Sequence, residues 1–346
     1  MPIGRRALLR AGAVTLAATS TASLVGCGGP TFMPLEPRAL DADTIDKDPI
    51  ALLPPRILVY MNVDLATLFS TALGPDLAAQ IASFVPLGPE ANFVPARDTT
   101  RLYGGVYAMQ GLDFCAVVQG RFDVAALQRG ADARAATPST PQLVKTRYGG
   151  RDIYTADNTG FFVLTPRTII CGNETALRRV VDRLRFKEIE RAVPAKMIEE
   201  GEKQPNGLAI VGEFGEPSAF LGPRDGKTPQ GAKPPRRARS TIASPVLQAS
   251  SRKFPFLGDL RTMRVLGNFQ APGLNLAGTL TYASPEHALR GADDLKSTAQ
   301  LAQWATVFSS FSLPPLRVAV IGQDVGFVQT MDANAARQLI QLSKSL

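Results

Sequence analysis

The sequence repeats itself over a long interval, and no other feature constrains the fold as strongly. Residues 101–108 align with residues 264–271, and residues 111–114 align with residues 273–276. Helix-like segments follow in both copies, and the first strand of one copy also has a matching segment in the other copy. Blocks that recur in one order indicate a duplicated unit. We therefore predict an α+β fold with two duplicated lobes of antiparallel β-sheet, each covered on one face by helices.

Hydrophobic periodicity and capping residues predict the elements of the first lobe. Two helical pieces are separated at Gly74, a hairpin ends before Asp123, and the glycine pair at residues 149–150 marks a turn. Asp123 is suited to cap the helix that follows it, and Asn173 is suited to cap a closing helix. These signals predict a lobe that alternates hairpins with helices.

Two cysteines lie in strand-like runs of the first lobe. An exported protein can join Cys115 and Cys171 in a disulfide. Most cysteine pairs, however, lack the Cα separation of about 4.4–6.8 Å that a disulfide requires. Cys115 also aligns with Ala277 in the second copy. We therefore expect two free thiols that act as small core residues, with the disulfide as the alternative.

Composition places the boundaries between segments. Residues 1–26 have the composition of a signal peptide. Residues 27–54 are rich in proline and aspartate, which predicts a flexible tether. Lobe A is expected at residues 55–190, a charged linker at 191–206, and lobe B at 207–346.

Lobe B contains a basic insertion, residues 222–240, that we predict to be disordered. It has six basic side chains and one acidic side chain, so it holds five of the net +8 charges of the chain. Near a membrane, each clustered base contributes about 1 kcal/mol to contact with anionic lipid or lipopolysaccharide. A solvated spacer is the alternative. The clustered residues are Lys233, Arg236, Arg237 and Arg239.

The first 26 residues have the layout of a signal peptide. Basic residues precede an apolar run at residues 11–26, which is too short to span a bilayer core of about 30 Å. Arg5 and Arg6, followed by an apolar pair and a basic residue, resemble the twin-arginine export signal. An ordinary Sec leader that happens to carry adjacent arginines is the alternative.

The apolar run ends at residues 24–27 with the sequence Leu-Val-Gly-Cys. This sequence resembles the lipobox of bacterial lipoprotein precursors. The resemblance implies cleavage between Gly26 and Cys27, followed by acylation of the Cys27 thiol and of its freed amine. Two or three acyl chains make such an anchor effectively permanent. The mature part also resembles uncharacterised bacterial envelope lipoproteins at residues 117–123 and 148–150, a likeness that implies no chemistry.

The lipobox resemblance implies a location in the cell envelope. Certain lipoproteins carry an aspartate after the acylated cysteine that keeps them in the inner membrane, and this chain has Gly28 there. We therefore expect the periplasmic face of the outer membrane rather than the inner membrane.

The sequence offers little for catalysis. His287 is the only histidine, and it lies at a predicted helix start where solvent exposure is the ordinary outcome. No triad, His/Cys metal cluster or phosphate-binding glycine loop is present. Ser250 and Lys253 have the spacing of penicillin-binding enzymes, but Pro255 would end the helix that this chemistry needs. We predict no catalytic residues, no metal site and no cofactor.

These observations predict a lipid-anchored envelope protein that acts as a non-enzymatic binding or scaffold module. Its expected partners are the membrane and a protein of unknown identity, and not nucleic acid. One alternative is an enzyme built from carboxylates and arginines in a cleft between the lobes. Another is a carrier of lipid or another apolar ligand, which would need an apolar cavity between sheet and helices.

Overall fold

The computed structural model describes residues 41–84, 87, 89–109, 113–136, 142–205, 207–215, 255–306 and 314–342. Twelve strands in these residues form one sheet. The strands are β1 (Val59–Asp64), β2 (Thr99–Ala108), β3 (Asp113–Gly120), β4 (Val144–Tyr148), β5 (Arg151–Ala156), β6 (Thr159–Thr165), β7 (Thr168–Asn173), β8 (Gly207–Glu213), β9 (Leu260–Asn268), β10 (Gly273–Tyr282), β11 (Arg317–Ile321) and β12 (Asp324–Asp332).

Helices connect and cover these strands. They are α1 (Ala42–Lys47), α2 (Leu65–Phe69), α3 (Gly74–Phe84), α4 (Pro95–Asp98), α5 (Val124–Ala136), α6 (Glu174–Phe186), α7 (Ala195–Glu202), α8 (Pro285–Thr306) and α9 (Ala333–Leu342). Short 3₁₀ helices span Pro49–Leu52, Pro89–Ala91 and Pro255–Leu257. The break between α2 and α3 and the turn between β4 and β5 lie where the sequence predicts them.

The sheet is antiparallel throughout, with strand order β11-β12-β10-β9-β8-β1-β2-β3-β7-β6-β5-β4. This arrangement confirms the predicted α+β class. At the centre, β1 pairs with β8, with Val59 opposite Gly212 and Val63 opposite Leu208. The two predicted lobes therefore share one continuous sheet and meet along a hydrogen-bonded ladder.

The two faces of the sheet carry different helices. Successive residues of a strand point to opposite faces. Tyr60, Cys115 and Val117 point to the face covered by α6 and α7, here called the α6 face. Leu102 and Leu276 point to the other face, which α2, α5, α8 and α9 cover and which is called the α5 face. In the first half both faces are covered, whereas the sequence predicted helices on one face only.

In one part of each half of the sheet, the order of elements agrees with the predicted duplication. Hairpin β2–β3 is followed by α5, and hairpin β9–β10 is followed by α8. The closing helices differ, because α6 packs on Val117 while α9 packs on Leu276 and Met331. Through the strand register Val117 shares its face with Ala277, so α6 and α9 lie on opposite faces. The duplication remains a prediction.

The C-terminal part of the predicted tether is folded into the protein. Residues 41–54 form α1 and a 3₁₀ helix, and the side chains of Ile45, Leu52 and Leu53 are at most 1% exposed on the α6 face. Asp46 Oδ1 accepts hydrogen bonds from the hydroxyls of Thr165 (2.7 Å) and Thr168 (2.6 Å). The prediction is wrong here because the acidic composition concealed this apolar set. Residues 27–40 lie outside the described residues.

Local capping follows one prediction and contradicts another. Asp123 Oδ1 accepts the hydrogen bond of the Ala126 amide at 2.9 Å, which confirms it as a cap of α5. Asn173 occupies the predicted position before α6, but its side chain makes no capping bond. Its Oδ1 instead accepts from the Phe114 amide at 3.2 Å, so it ties β7 to β3.

The two cysteines lie on β3 and β7, and the histidine lies in the first turn of α8. Ala116 is opposite Cys171, so the thiols of Cys115 and Cys171 point to opposite faces of the sheet and both are free. This confirms two core thiols. His287 differs from the expected exposed residue, because its Nδ1 is buried and its Nε2 lies 3.6 Å from Asp259 Oδ2.

Candidate functional site

An apolar cavity of about 450 Å³ lies on the α5 face, between the sheet and the helices of the first half. Its floor comes from β2, β3, β6 and β7, and its walls come from α2, α5 and the segments that precede β2 and β4. The lining residues are Leu65, Leu87, Phe93, Thr99, Leu102, Phe114, Ala116, Val118, Phe122, Leu127, Leu143, Thr159, Gly160, Phe161, Ile169 and Cys171. None of these described residues carries a formal charge.

The floor of the cavity is made by strand residues of one face. Ala116 lies between Gly104 of β2 and Cys171 of β7, and Leu102 lies opposite Val118. The small side chains of Ala116 and Cys171, in the middle of this floor, leave room above the sheet. Leu102, Phe114 and Val118 are consequently only half-buried, although their strands are internal to the sheet.

The walls are made by residues that also belong to the core. Leu127 on α5 and Leu143 before β4 are almost fully buried. Phe93 and Phe122 form a tilted aromatic pair with ring centroids 6.4 Å apart. Such pairs add stability beyond the area that they bury. The walls are therefore held by packing that does not depend on an occupant.

The few polar groups at the cavity do not give it a charge. The Thr99 hydroxyl donates a hydrogen bond to the Pro95 carbonyl at 2.7 Å, so its hydrogen is already used. Burial raises the pKa of the Cys171 thiol to about 12, so this group is neutral at physiological pH. Thr159 is exposed, which places polar surface at one edge of the lining.

The apolar side chains around this space lack packing partners on the side that faces it. An apolar occupant supplies those contacts and removes the apolar surface from water. The arrangement is therefore suited to hold an apolar molecule.

The residues predicted as sites lie outside the described residues. This applies to the predicted export, cleavage and acylation residues and to the clustered bases of the insertion: Arg5, Arg6, Gly26, Cys27, Lys233, Arg236, Arg237 and Arg239. Ser250 and Lys253 lie there as well. Within the described ranges, no group of three or more His, Cys, Asp or Glu side chains is arranged to hold a metal ion. In that same part of the chain, no helix has the length and apolar character needed to cross a membrane.

The sequence identified the strands of the cavity but not the cavity itself. Residues such as Leu102 and Phe114 have the alternation of an ordinary core strand. Whether a helix packs directly on them depends on distances between elements remote in sequence. A weak signal was present in Ala116, a small residue in an apolar strand that lines the cavity.

Comparison with known proteins adds little. No protein-family model matches the chain, and no curated protein matches it. Solved structures of TP0453 in crystal forms I, III and IV share 11%, 13% and 13% sequence identity with it, at TM-scores of 0.46, 0.45 and 0.44. The matches cover 84% of this chain and 95–96% of the solved chains. Likeness at this level carries no argument about what the chain binds.

Proposed function

We propose that this chain is a lipid-anchored cell-envelope protein that binds an apolar ligand, without catalysis, in the cavity on the α5 face. The observation that supports the proposal is the uncharged lining of a space of about 450 Å³ between sheet and helices. Ligand pockets of proteins have volumes of about 300–1,000 Å³ and mostly apolar linings. The cavity falls within this range.

The volume favours a single hydrocarbon chain. A water-sized group fills about 30 Å³, so the cavity accommodates on the order of fifteen such groups, or a similar number of methylenes. Each buried methylene contributes about 0.8 kcal/mol, from which the cost of immobilising the ligand is subtracted. Because the lining is uncharged, the cavity selects the apolar part of a ligand, and a charged headgroup would stay outside.

A membrane anchor would keep the cavity close to a source of such ligands. We propose acylation at Cys27 after cleavage of the Gly26–Cys27 bond, with export directed by Arg5 and Arg6. From Cys27 to the first described residue, Asp41, even a fully extended chain reaches no further than about 50 Å. The folded part would therefore remain near the membrane, on the periplasmic side of the envelope.

Two observations favour binding over an enzyme in a cleft between lobes. The halves meet along the β1–β8 ladder, and the described lining of the cavity has no ionisable group except the neutral Cys171 thiol. Catalytic sites gather ionisable groups with shifted pKa values in one place. A scaffold role for another protein is compatible with ligand binding and is not required by it.

The test is binding of cis-parinaric acid, a fluorescent fatty acid, to the full-length chain with Cys27→Ala, which cannot be acylated. We expect saturable binding. Ala116→Leu places three extra carbons in the cavity and should weaken binding about tenfold, which corresponds to about 1.4 kcal/mol. Ala277→Leu, on an exposed part of β10, is the matched control and should leave affinity unchanged. Absence of saturable binding, or equal affinities for the two variants, would contradict the proposal.

We also propose that the basic insertion contacts anionic lipid. Four clustered bases would contribute about 1 kcal/mol each at low salt and less as the salt concentration rises. The assay is sedimentation of the same full-length protein with phosphatidylglycerol vesicles, compared with phosphatidylcholine vesicles. Binding should disappear when the four bases are changed to serine or when salt is raised. Binding that survives both changes would exclude an electrostatic contact. The four bases are Lys233, Arg236, Arg237 and Arg239.

A further inference from the structure

The long sheet ends in two edge strands that differ in their side chains. Among the described strands, β11 and β4 each pair on one side only, so they form the two edges. β4 carries Lys145 and Arg147, and both are exposed. β11 has no charged side chain after Arg317. Charged residues on an edge strand hinder its pairing with another chain, so β4 is protected against such pairing and most of β11 is not.

The backbone of β11 directs the polar groups of two residues away from the sheet. β11 and β12 are joined by the two-residue turn Gly322–Gln323, and Ile321 faces Asp324 across it. In such a hairpin the two residues that flank the turn are hydrogen-bonded to each other, and this bonding recurs at every second residue. The N–H and C=O groups of Val318 and Val320 therefore point outward, where no described strand pairs with them.

The side chains of β11 are suited to a second strand beside it. Val318 and Val320 are half-buried on the α5 face, where they pack in the core under α8. Through the strand register, Ala319 and Ile321 point to the α6 face, and Ile321 is 80% exposed. A strand added to β11 would extend the core on the α5 face and cover Ile321 on the other face.

We propose that β11 pairs antiparallel with β11 of a second copy of this chain, so that the two sheets join into one across a two-fold axis. An antiparallel strand can be its own partner, and this symmetry closes the assembly at a dimer. With Ala319 opposite the partner's Ala319, Val318 exchanges both of its outward hydrogen bonds with the partner's Val320. The central alanine pair is then the closely spaced kind, with Cα atoms about 4.5 Å apart, which small side chains allow.

The charges beside this edge are complementary in that register. Arg317 lies opposite the partner's Ile321, and the partner's Asp324 is the next residue across the sheet. All three side chains point to the α6 face. Because neighbouring strands are about 4.8 Å apart, about 10 Å separates the backbones of Arg317 and the partner's Asp324. An extended arginine side chain and a carboxylate together span this distance, and the aliphatic stem of the arginine covers the isoleucine.

The size of the contact makes the dimer reversible. β11 has five residues, and interfaces below about 1,200 Å² belong to weak and transient complexes. β4 of a second copy is the other edge that could pair with β11. That pairing repeats head to tail and gives open chains of increasing length rather than a closed dimer. The two arrangements therefore differ in the size of the particle that they form.

The test is sedimentation velocity of the full-length chain with Cys27→Ala, at concentrations from about 10 µM to about 1 mM. We expect a reversible equilibrium between monomer and dimer. Val320→Pro removes an outward N–H that the ladder to β12 does not use, and it should lower the association constant about tenfold or more. Arg147→Pro is the matched control, because Arg147 has the same position before the turn of hairpin β4–β5 at the other edge, and it should leave association unchanged. Circular dichroism establishes that both variants fold. A monomer at every concentration, particles larger than a dimer, or equal association constants for the two proline variants would overturn the proposal.

Exchanging charges tests the register without altering the backbone. Arg317→Glu and Asp324→Lys should each weaken the dimer, because each variant alone places like charges together across the two-fold axis. An equimolar mixture of the two variants should regain the association of the parent chain, because the mixed dimer has opposite charges at both positions. A mixture that associates no better than the separate variants would refute the antiparallel β11 pairing.

Discussion

Filling the apolar cavity should stabilise the fold, whereas the same substitution in packed core should destabilise it. Ala116→Leu adds three carbon atoms toward the cavity, and each buried methylene contributes about 0.8 kcal/mol. From the resulting 2.4 kcal/mol or so, the loss of leucine rotamer freedom subtracts about 0.5–1 kcal/mol. We therefore expect the free energy of unfolding to rise by about 1–2 kcal/mol.

The matched control is Ala176→Leu in α6. Ala176 is fully buried among the side chains of the α6 face and does not line the apolar cavity. Extra methylenes in a packed site typically cost about 1–3 kcal/mol. The two alanine-to-leucine changes should consequently have opposite signs, although their chemistry is identical.

Urea unfolding followed by circular dichroism measures both free energies, on the full-length chain with Cys27→Ala. A higher denaturation midpoint for Ala116→Leu at unchanged m-value would show that the added carbons enter free space. If Ala116→Leu is destabilised as much as Ala176→Leu, the space above β3 is already filled by protein. The binding proposal would then lose the observation that supports it.

Four further predictions concern single sites. Cys27→Ala should leave an uncleaved precursor without labelled fatty acid, and undiminished labelling would exclude the lipoprotein assignment. Changing Arg5 and Arg6 to lysine should stop maturation if export uses the twin-arginine route, whereas normal maturation would indicate Sec. The pKa of the Cys171 thiol is about 12, so its reaction with methyl methanethiosulfonate should be slow at pH 8 and should become about tenfold faster per pH unit up to the pKa. Bound cis-parinaric acid should slow the reaction, and mass spectrometry measures the adduct. Asp46→Ala removes two hydroxyl-to-carboxylate bonds, so stability should fall by about 2 kcal/mol and amide exchange in residues 41–54 should accelerate.

Local signals in the sequence predicted the elements that local physics determines. The turn at residues 149–150 follows from two glycines at positive φ, and the cap at Asp123 follows from a side chain that reaches an amide three residues away. The sequence of hairpin β2–β3 has the apolar alternation that predicts a strand pair, although helices cover both of its faces. In such elements the residues that interact are close together in the sequence, so a short stretch of sequence is enough to predict them.

The remaining features depend on partners that are distant in sequence. The segment 41–54 looked like a tether because its aspartates are conspicuous, yet Asp46 is bound by threonines more than a hundred residues away. Asn173 has the sequence position of a helix cap, but its side-chain oxygen accepts a hydrogen bond from the backbone amide of Phe114 on β3. Neither the β1–β8 pairing nor the apolar cavity leaves a periodic signal in the sequence, because each arises from how elements remote in sequence pack together.

The pairing of β8 with β9 has a consequence for the basic insertion. Glu213 and Thr262 face each other in the ladder, although residues 214–259, about 46 in number, connect the two strands. The entropy lost on closing a flexible loop grows only with the logarithm of its length, about 0.6 kcal/mol per doubling. Excising residues 222–240 would leave more than half of the connection and change the closure term by only about 0.5 kcal/mol. For the part of the connection that the sequence predicts to be disordered, length therefore has little thermodynamic cost, and we expect changes to its charge to leave the β8–β9 ladder intact.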